Sequence, residues 1–198
     1  MKNIFKSLIV ALVVIGSFTS CEDSNLPIDN LYDNVDQTGS VLRILRYPSD
    51  IVNISGNAPF TNVMDYLFEV QEGDGSSTPD FKEVRVYLTA YDDQDFEFPL
   101  VDENGNEFGE QLIRLISNAE FDTLSDNNGL PQYNLLLPTQ EVLDALPGAS
   151  YSGPTFFSVR FELEMNDGRI WTDYNAGTTL AGPYFESPYI YTTIFLNN

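Results

Sequence analysis

The sequence contains no histidine and only one cysteine, Cys21, among its 198 residues. Without histidine, no catalytic scheme that uses imidazole as a base is available, and a common nitrogen ligand of metal ions is missing. With one cysteine, no intramolecular disulfide can form, so stability has to come from an apolar core. We therefore predict no catalytic residue, no metal site, no cofactor and no enzymatic activity.

Basic residues are also scarce, because 9 Lys and Arg stand against 30 Asp and Glu and give a formal net charge of −21. Binding to phosphates requires clustered Lys and Arg, so nucleic acid is excluded as a partner. Docking on anionic lipid through a basic patch is excluded for the same reason. By contrast, 42% of the residues are hydrophobic and 13% are aromatic. This composition argues against disorder and is sufficient for one buried core.

One acidic segment has part of the spacing of a calcium loop. Asp102, Asn104 and Asn106 have the spacing of the first, third and fifth ligands of such a loop. The sixth position, however, is Glu107 instead of glycine, and the twelfth is Ile113 instead of glutamate. We therefore interpret the segment as a solvated acidic loop rather than a metal site.

The first twenty residues have the pattern of a secretory signal. Two lysines give a cationic start, an apolar run covers residues 8–15, and small or hydroxylated residues lead up to Cys21. The run is too short to cross a bilayer of about 30 Å. We predict a lipoprotein signal peptide at 1–20 and lipid on the Cys21 thiol, although Phe18 stands where such signals usually carry leucine. The alternative is an ordinary signal peptide with a cysteine at its edge by chance.

Residues 21–39 are acidic, rich in Asp and Asn and without hydrophobic periodicity, so we expect a lipidated tether. After it, the sequence predicts one domain at 40–198. Residues 157–165 alternate between apolar and polar side chains, which is the period of a half-buried antiparallel strand. A turn signal at 166–168 follows, and 169–174 are predicted as the return strand of a hairpin.

Further segments also have the composition of strands, and between them lie long loops at 92–109, 118–131 and 175–187. One short helix is expected, with Thr139 as its N-cap and Pro147 with Gly148 as its stop. This pattern predicts an all-β fold, a single antiparallel β-sandwich of the immunoglobulin-like kind. The further strands are expected at 41–46, 63–71, 83–91, 111–117, 132–137 and 188–196.

Aromatic residues concentrate towards the C-terminus and suggest a binding surface. Trp171 alternates with Ile170, so its indole could stand on the polar outer face of the return strand. A sugar ring stacks its C–H face on such an aromatic ring, while nearby carboxylates and amides bind its hydroxyls. The alternative is that these rings fill the core. The candidate ligand-binding residues, around the hairpin and the loop at 175–189, are Trp171, Asp173, Tyr174, Asn175, Tyr184 and Phe185.

Several segments along the chain carry a resemblance to a known family. They are 39–43 (GSVLR), 68–72 (FEVQE), 84–88 (VRVYL), 129–131 (GLP), 157–163 (FSVRFEL) with 167–169 (DGR), and 182–189 (GPYFESPY). These segments resemble surface lipoproteins of the Bacteroidota that are encoded beside SusC-like TonB-dependent transporters and their SusD-like partners. The likeness extends over nearly the whole chain after Cys21.

The resemblance implies a SusE-like or SusF-like accessory role without catalysis. Such a protein would be anchored in the outer membrane through lipid on Cys21 and exposed on the cell surface. It would accompany a SusC/SusD-like transporter pair, with a glycan or a peptide as ligand. Glu22 and Asp23 match the acidic signal that sends such lipoproteins to the outer face. The alternative function is a structural subunit of an outer-membrane assembly with no small ligand.

Overall fold

The computed structural model describes residues 39–56, 60–73, 76, 78–123, 129–151, 153–176, 187 and 189–197. The predicted signal peptide, Cys21 and the tether up to residue 38 lie outside these residues, and so do Tyr184 and Phe185. Within the described ranges, no helix is long and apolar enough to cross a membrane.

Ten strands, one short α-helix and one 3-10 helix (Asn118–Glu120) make up the regular structure of the described residues. The helix, α1 (Thr139–Asp144), follows directly after the seventh strand, and its N-cap is Pro138 rather than the predicted Thr139. The strands are β1 (Ser40–Arg46), β2 (Ile51–Asn53), β3 (Val63–Glu72), β4 (Phe81–Tyr91), β5 (Gln111–Ser117), β6 (Asp122–Thr123), β7 (Pro131–Pro138), β8 (Thr155–Met165), β9 (Ile170–Trp171) and β10 (Ile190–Leu196).

The strands form two sheets with the topology of an immunoglobulin-like sandwich. The smaller sheet has the order β1-β3-β7-β6, and the larger has the order β2-β10-β8-β4-β5, with β9 paired to β8. The smaller sheet thus repeats the A-B-E-D order of that fold, and the adjacent β10, β8 and β4 repeat G, F and C. The pairing of β2 with β10 is parallel, whereas the other strand pairs are antiparallel. The predicted all-β sandwich is confirmed.

The core lies between the inner faces of the two sheets. In β8, Phe157, Val159 and Phe161 are fully buried, as the alternation of the sequence predicts. The ring of Phe161 meets Tyr66 and Phe68 of the smaller sheet at centroid distances of 5.6 and 5.7 Å. Burying an aromatic side chain of this kind contributes about 1.5–3 kcal/mol to stability. These edge-on contacts therefore hold the two sheets together.

The predicted strand bounds agree with the structure to within two residues, except in the hairpin. The turn forms as predicted, since Gly168 has a φ of 90° and its N–H donates to the Met165 carbonyl at 3.0 Å. The return strand is shorter than predicted, because β9 ends at Trp171. The short strands β2 and β6 were not predicted, because two or three residues are too few for a period to appear.

Candidate functional site

The outer face of the larger sheet carries polar and aromatic side chains in ordered rows. The inward positions of β4 and β8 are apolar, so the alternate positions point away from the core. Across these strands Tyr87 lies opposite Arg160, and Thr89 lies opposite Ser158. The two central strands of the sheet therefore present a rigid polar floor.

A tight turn after β9 borders this floor. The Asn175 side chain accepts a hydrogen bond from the Thr172 N–H at 2.7 Å and donates one to the Ile170 carbonyl at 2.6 Å. The Tyr174 N–H donates to the Thr172 hydroxyl at 3.2 Å. These bonds end the return strand early and fix the intervening Asp173 beside the sheet.

The floor and the turn enclose a groove of about 260 Å³, here called the outer groove. Hydroxyl groups, carboxylates, tyrosine rings and one guanidinium line it. Its residues are Thr89 and Tyr91 of β4, Glu110 before β5, Ser158, Arg160 and Glu162 of β8, Thr172, Asp173 and Tyr174 of the turn, and Ile190 of β10.

Arg160 at the floor of the groove makes three hydrogen bonds to two acidic neighbours. Its Nε and Nη2 donate to the two carboxylate oxygens of Glu110, both at 2.7 Å, and its Nη1 donates to Glu162 at 2.8 Å. Its guanidinium also lies 4.4 Å from the ring centroid of Tyr87. The hydrogen bonds with Glu110 raise the pKa of Arg160 above its usual range. Arg160 thus acts as a fixed part of the floor.

Glu162 is ionised by the same set of contacts. Burial opposes its charge, but the hydrogen bond from Arg160 and the positive charge of that residue outweigh burial, so the pKa of Glu162 is lowered. The Tyr87 hydroxyl adds a third contribution by donating to Glu162 at 3.1 Å. Glu162 is therefore held as a carboxylate at neutral pH, and Glu110 forms an ion pair with Arg160.

Asp173 and Tyr174 differ from the rest of the groove because their polar atoms and ring surface are not used internally. The Oδ1 atom of Asp173 is buried and has no hydrogen-bond partner among the described residues. The Tyr174 side chain is 89% exposed. A buried acceptor without a donor is costly, and an exposed ring offers apolar surface. Asp173 as a residue is partly exposed, and both side chains line the groove, so they are the ones most available to a ligand.

Tyr91 at the end of the groove is held by an aromatic contact with a strained residue. Phe96 has a φ of 58°, which is unusual for a bulky side chain. Its ring packs edge-on against Tyr91 at 5.2 Å and against Phe156 at 6.3 Å. The Asp93 carboxylate accepts hydrogen bonds from the following backbone, including the Phe98 N–H at 2.8 Å, and so fixes this loop. The end wall of the groove is therefore preformed.

The predicted site residues fall into different environments. Asp173 and Tyr174 line the outer groove, and Asn175 shapes the turn that positions them. Trp171 pairs with the buried Leu163 and packs against the core. Because directly paired residues point to the same face of a sheet, the expectation that the indole stands on the outer face is wrong.

The groove also contains residues that the sequence did not single out. Arg160, Glu110 and Tyr91 were not among the candidates. The signal that could have identified Arg160 and Tyr91 is the outward phase of the alternation in β4 and β8. Glu110 carries no such signal, because it lies in the loop before β5 and reaches the floor through its ion pair with Arg160.

A second concavity, of about 420 Å³, lies among the loops around Phe98, Val101 and Asp102. The two carboxylate oxygens of Asp102 are used locally, because they accept hydrogen bonds from the Asn104 N–H, the Asn106 N–H and the Asn106 side chain at 2.8–2.9 Å. The calcium-like spacing thus builds a turn. No group of three or more acidic or thiol side chains in the described part of the chain has a geometry that could hold a metal ion.

No family model and no curated protein matches the chain. Among solved structures, the chain is similar to ACE19, the collagen-binding subdomain of the Enterococcus faecalis surface protein ACE, with 10% sequence identity and a TM-score of 0.19. The similarity covers 77% of this chain and 97% of that chain. A TM-score this low carries no argument about the ligand.

Proposed function

We propose that this chain is a non-enzymatic saccharide-binding protein of the cell surface. In this proposal it is anchored to the outer membrane through lipid on Cys21 and accompanies a SusC/SusD-like uptake complex. The observation that carries the binding role is the outer groove, which is lined by the exposed ring of Tyr174 and by the carboxylate of Asp173. The membrane role is supported by the sequence pattern around Cys21 and by the family resemblance.

The chemistry of the groove fits a sugar. The C–H face of a sugar ring stacks on an aromatic ring, and its hydroxyls bind carboxylates and side-chain hydroxyls such as those of Thr89 and Ser158. The volume of about 260 Å³ is smaller than the roughly 300–1,000 Å³ of typical small-molecule pockets. We therefore expect the groove to hold a short stretch of a longer saccharide along its floor rather than to enclose a free ligand.

The state of the carboxylates supports a role in binding rather than hydrolysis. A glycosidase needs one carboxylic acid with a raised pKa as its proton donor. In the outer groove, Glu110 and Glu162 are ion-paired to Arg160, and the pKa of Glu162 is lowered. A carboxylate held in this way is a poor general acid.

The binding role is tested with immobilised neutral polysaccharides and the variant Tyr174→Ala. We expect retention by at least one polysaccharide, and a loss of several-fold or more in the variant, because stacking on an aromatic ring contributes about 1 kcal/mol. Phe98→Ala is the matched control, since Phe98 is 64% exposed but lies outside the groove. Loss of retention in the control but not in Tyr174→Ala would move the ligand to the loop concavity and contradict the proposal.

The membrane role is tested separately by the variant Cys21→Ser. We expect the parent protein to partition into detergent with membranes, whereas the variant stays soluble or uncleaved, because it lacks the acyl chains. Each buried methylene of such a chain contributes about 0.8 kcal/mol to membrane binding. A variant that is processed and fractionates like the parent would contradict lipidation.

The uptake role is tested by the gene neighbourhood. An adjacent SusC/SusD-like gene pair would support the uptake role, and its absence would count against that role.

A second candidate function is a structural subunit of an outer-membrane assembly. One observation favours it: β5 is the last strand of the larger sheet among the described residues, and it exposes Leu112 and Leu115 by 53% and 49%. An exposed edge of this kind can pair with a partner strand. A barrel protein that co-purifies with the parent but not with Leu112→Ser would support this function. Retained glycan without such a partner would support saccharide binding instead.

A further inference from the structure

We infer that the outer groove selects saccharides with a protonated amine over saccharides with a carboxylate, and that Asp173 binds the ammonium group. This inference rests on the proposed function, because it specifies which saccharides the same groove accepts. Four features of the groove carry it: its charge balance, the hydrogen bonds of its single cation, the unpaired carboxylate oxygen of Asp173 and the exposure of the Tyr174 ring.

The charge balance of the groove is negative. Three carboxylates line it, those of Glu110, Glu162 and Asp173, against the single guanidinium of Arg160. The whole chain carries a net charge of −21 as well. A concave surface with one sign of charge concentrates ligands of the opposite sign and repels ligands of its own. The electrostatic field of this groove therefore opposes the entry of an acidic sugar.

The single cation cannot reverse this preference. Nε and Nη2 of Arg160 donate hydrogen bonds to Glu110, and Nη1 donates one to Glu162. The guanidinium group also lies over the ring of Tyr87. A ligand carboxylate could bind the Nε and Nη2 edge of Arg160 only by displacing Glu110 from a bidentate ion pair, the strongest geometry that such pairs adopt. The groove thus contains an arginine without being a site for anions.

The carboxylate of Asp173, in contrast, can accept a further hydrogen bond. Its Oδ1 is buried and lacks a hydrogen-bond partner among the described residues. The hydrogen bonds of Asn175 to Thr172 and Ile170 fix the turn that holds it, so the acceptor is preorganised. Although Oδ1 itself is buried, Asp173 is partly exposed and lines the groove. An ammonium group that approaches the carboxylate from the groove would form a charge-assisted hydrogen bond, which is the stronger kind.

The ring of Tyr174 lies next to this carboxylate in the sequence and in the lining of the groove. At 89% exposure its face is open to a ligand. An aromatic face attracts cations as well as the C–H face of a sugar. An amino sugar satisfies both side chains at once, since its ring stacks on Tyr174 while its ammonium group meets Asp173.

The test uses three hexasaccharides with the same β-1,4-linked glucose backbone, titrated calorimetrically into the full-length protein at pH 6. One carries an amine at C2 of each sugar, one carries the ordinary hydroxyls, and one carries a carboxylate at C6. We expect the amine form to bind about fivefold more tightly than the hydroxyl form, because a partly exposed ion pair changes affinity by about this factor. We expect the carboxylate form to bind more weakly than either.

Two variants assign the preference to Asp173. Asp173→Asn keeps the shape of the side chain and removes its charge, so the amine and hydroxyl forms should bind equally well. Glu103→Gln removes the same charge from an exposed residue outside the groove, and the preference should remain. High salt should reduce the preference of the parent, because ion pairs near the surface are screened.

The outcomes separate this inference from the proposed function. Equal binding of the amine and hydroxyl forms by the parent, or tighter binding of the carboxylate form, overturns amine selection but leaves saccharide binding intact. A preference that survives in Asp173→Asn overturns the role of Asp173. If none of the three hexasaccharides binds, amine selection is wrong, and the polysaccharide retention experiment decides on the proposed function by itself.

Discussion

The Tyr189 hydroxyl donates a hydrogen bond to the Ser40 carbonyl at 3.0 Å and so connects the two sheets of the sandwich. Ser40 is the first residue of β1 in the smaller sheet, and Tyr189 directly precedes β10 in the larger. The same hydroxyl accepts a hydrogen bond from the Leu42 N–H at 3.2 Å. Tyr189 is fully buried, and burial raises the pKa of its hydroxyl. The first strand of the domain is therefore fastened to the start of the last one.

Replacing Tyr189 with phenylalanine tests this connection. Tyr189→Phe leaves the Ser40 carbonyl and the Leu42 N–H without their partner in a buried place, and each buried unsatisfied group costs about 1–3 kcal/mol. We expect a clear fall in the free energy of unfolding, measured by chemical denaturation. Tyr174→Phe removes a hydroxyl from an exposed ring and should change nothing. Equal stability of the two variants would contradict the connection.

Trp171 should contribute to stability rather than to ligand binding. Its indole packs against the core from β9, and truncating a large buried aromatic residue to alanine costs about 3–5 kcal/mol. Because Trp171 is only partly buried, we expect Trp171→Ala to lower the free energy of unfolding by an amount near the lower end of this range. Thermal or chemical unfolding measures the difference. Tyr174→Ala should melt like the parent. A Trp171→Ala protein that is fully stable but no longer binds saccharide would show that the indole belongs to the groove.

The sequence was sufficient to predict the sandwich but not the orientation of Trp171. In the long strands β4 and β8, apolar and polar side chains alternate, because one face of each strand is buried against the other sheet. This alternation identifies the inner and outer faces from the sequence. Strand β9 has two residues, so no period can tell which face its side chains take. That orientation depends on the pairing of Trp171 with Leu163, which is a tertiary relationship.

The difference between local sequence patterns and tertiary contacts also explains which residues of the candidate site could be predicted. Asp173 and Tyr174 were predicted from local composition, and both line the groove. Glu110 was not predicted, because it lies 50 residues from Arg160 in the sequence and meets it only after β5 pairs with β4. Ion pairs between distant segments leave no local pattern in a chain with 30 acidic residues.

The ion pairs of the outer face predict how stability depends on pH. The pKa of Glu162 is lowered from its ordinary value of 4.5, so the folded state binds its proton less readily than the unfolded state. The stabilisation is therefore present above about pH 4.5 and is lost as the pH falls through the folded pKa. We expect Glu162→Gln to be less stable than the parent at pH 7, with a difference that shrinks below pH 4.5.

Urea denaturation at several pH values measures this difference. Glu103→Gln is again the matched control, because it removes a carboxylate from an exposed position and should follow the parent at every pH. If the difference between Glu162→Gln and the parent is the same at pH 7 and pH 3, the stabilisation does not come from the ionised carboxylate.

Phe96 has a strained backbone and a ring that supports Tyr91, and two variants can separate these two contributions. Phe96→Ala removes the ring that packs on Tyr91 and keeps the unfavourable φ of 58°. Phe96→Gly removes the ring as well, but glycine adopts this φ without the cost of about 1–2 kcal/mol that a side chain brings. We therefore expect both variants to be less stable than the parent, with Phe96→Gly melting above Phe96→Ala. Saccharide retention should weaken equally in both, because the end wall at Tyr91 loses its support in each. A glycine variant that melts below the alanine variant would show that the backbone at this position carries no strain.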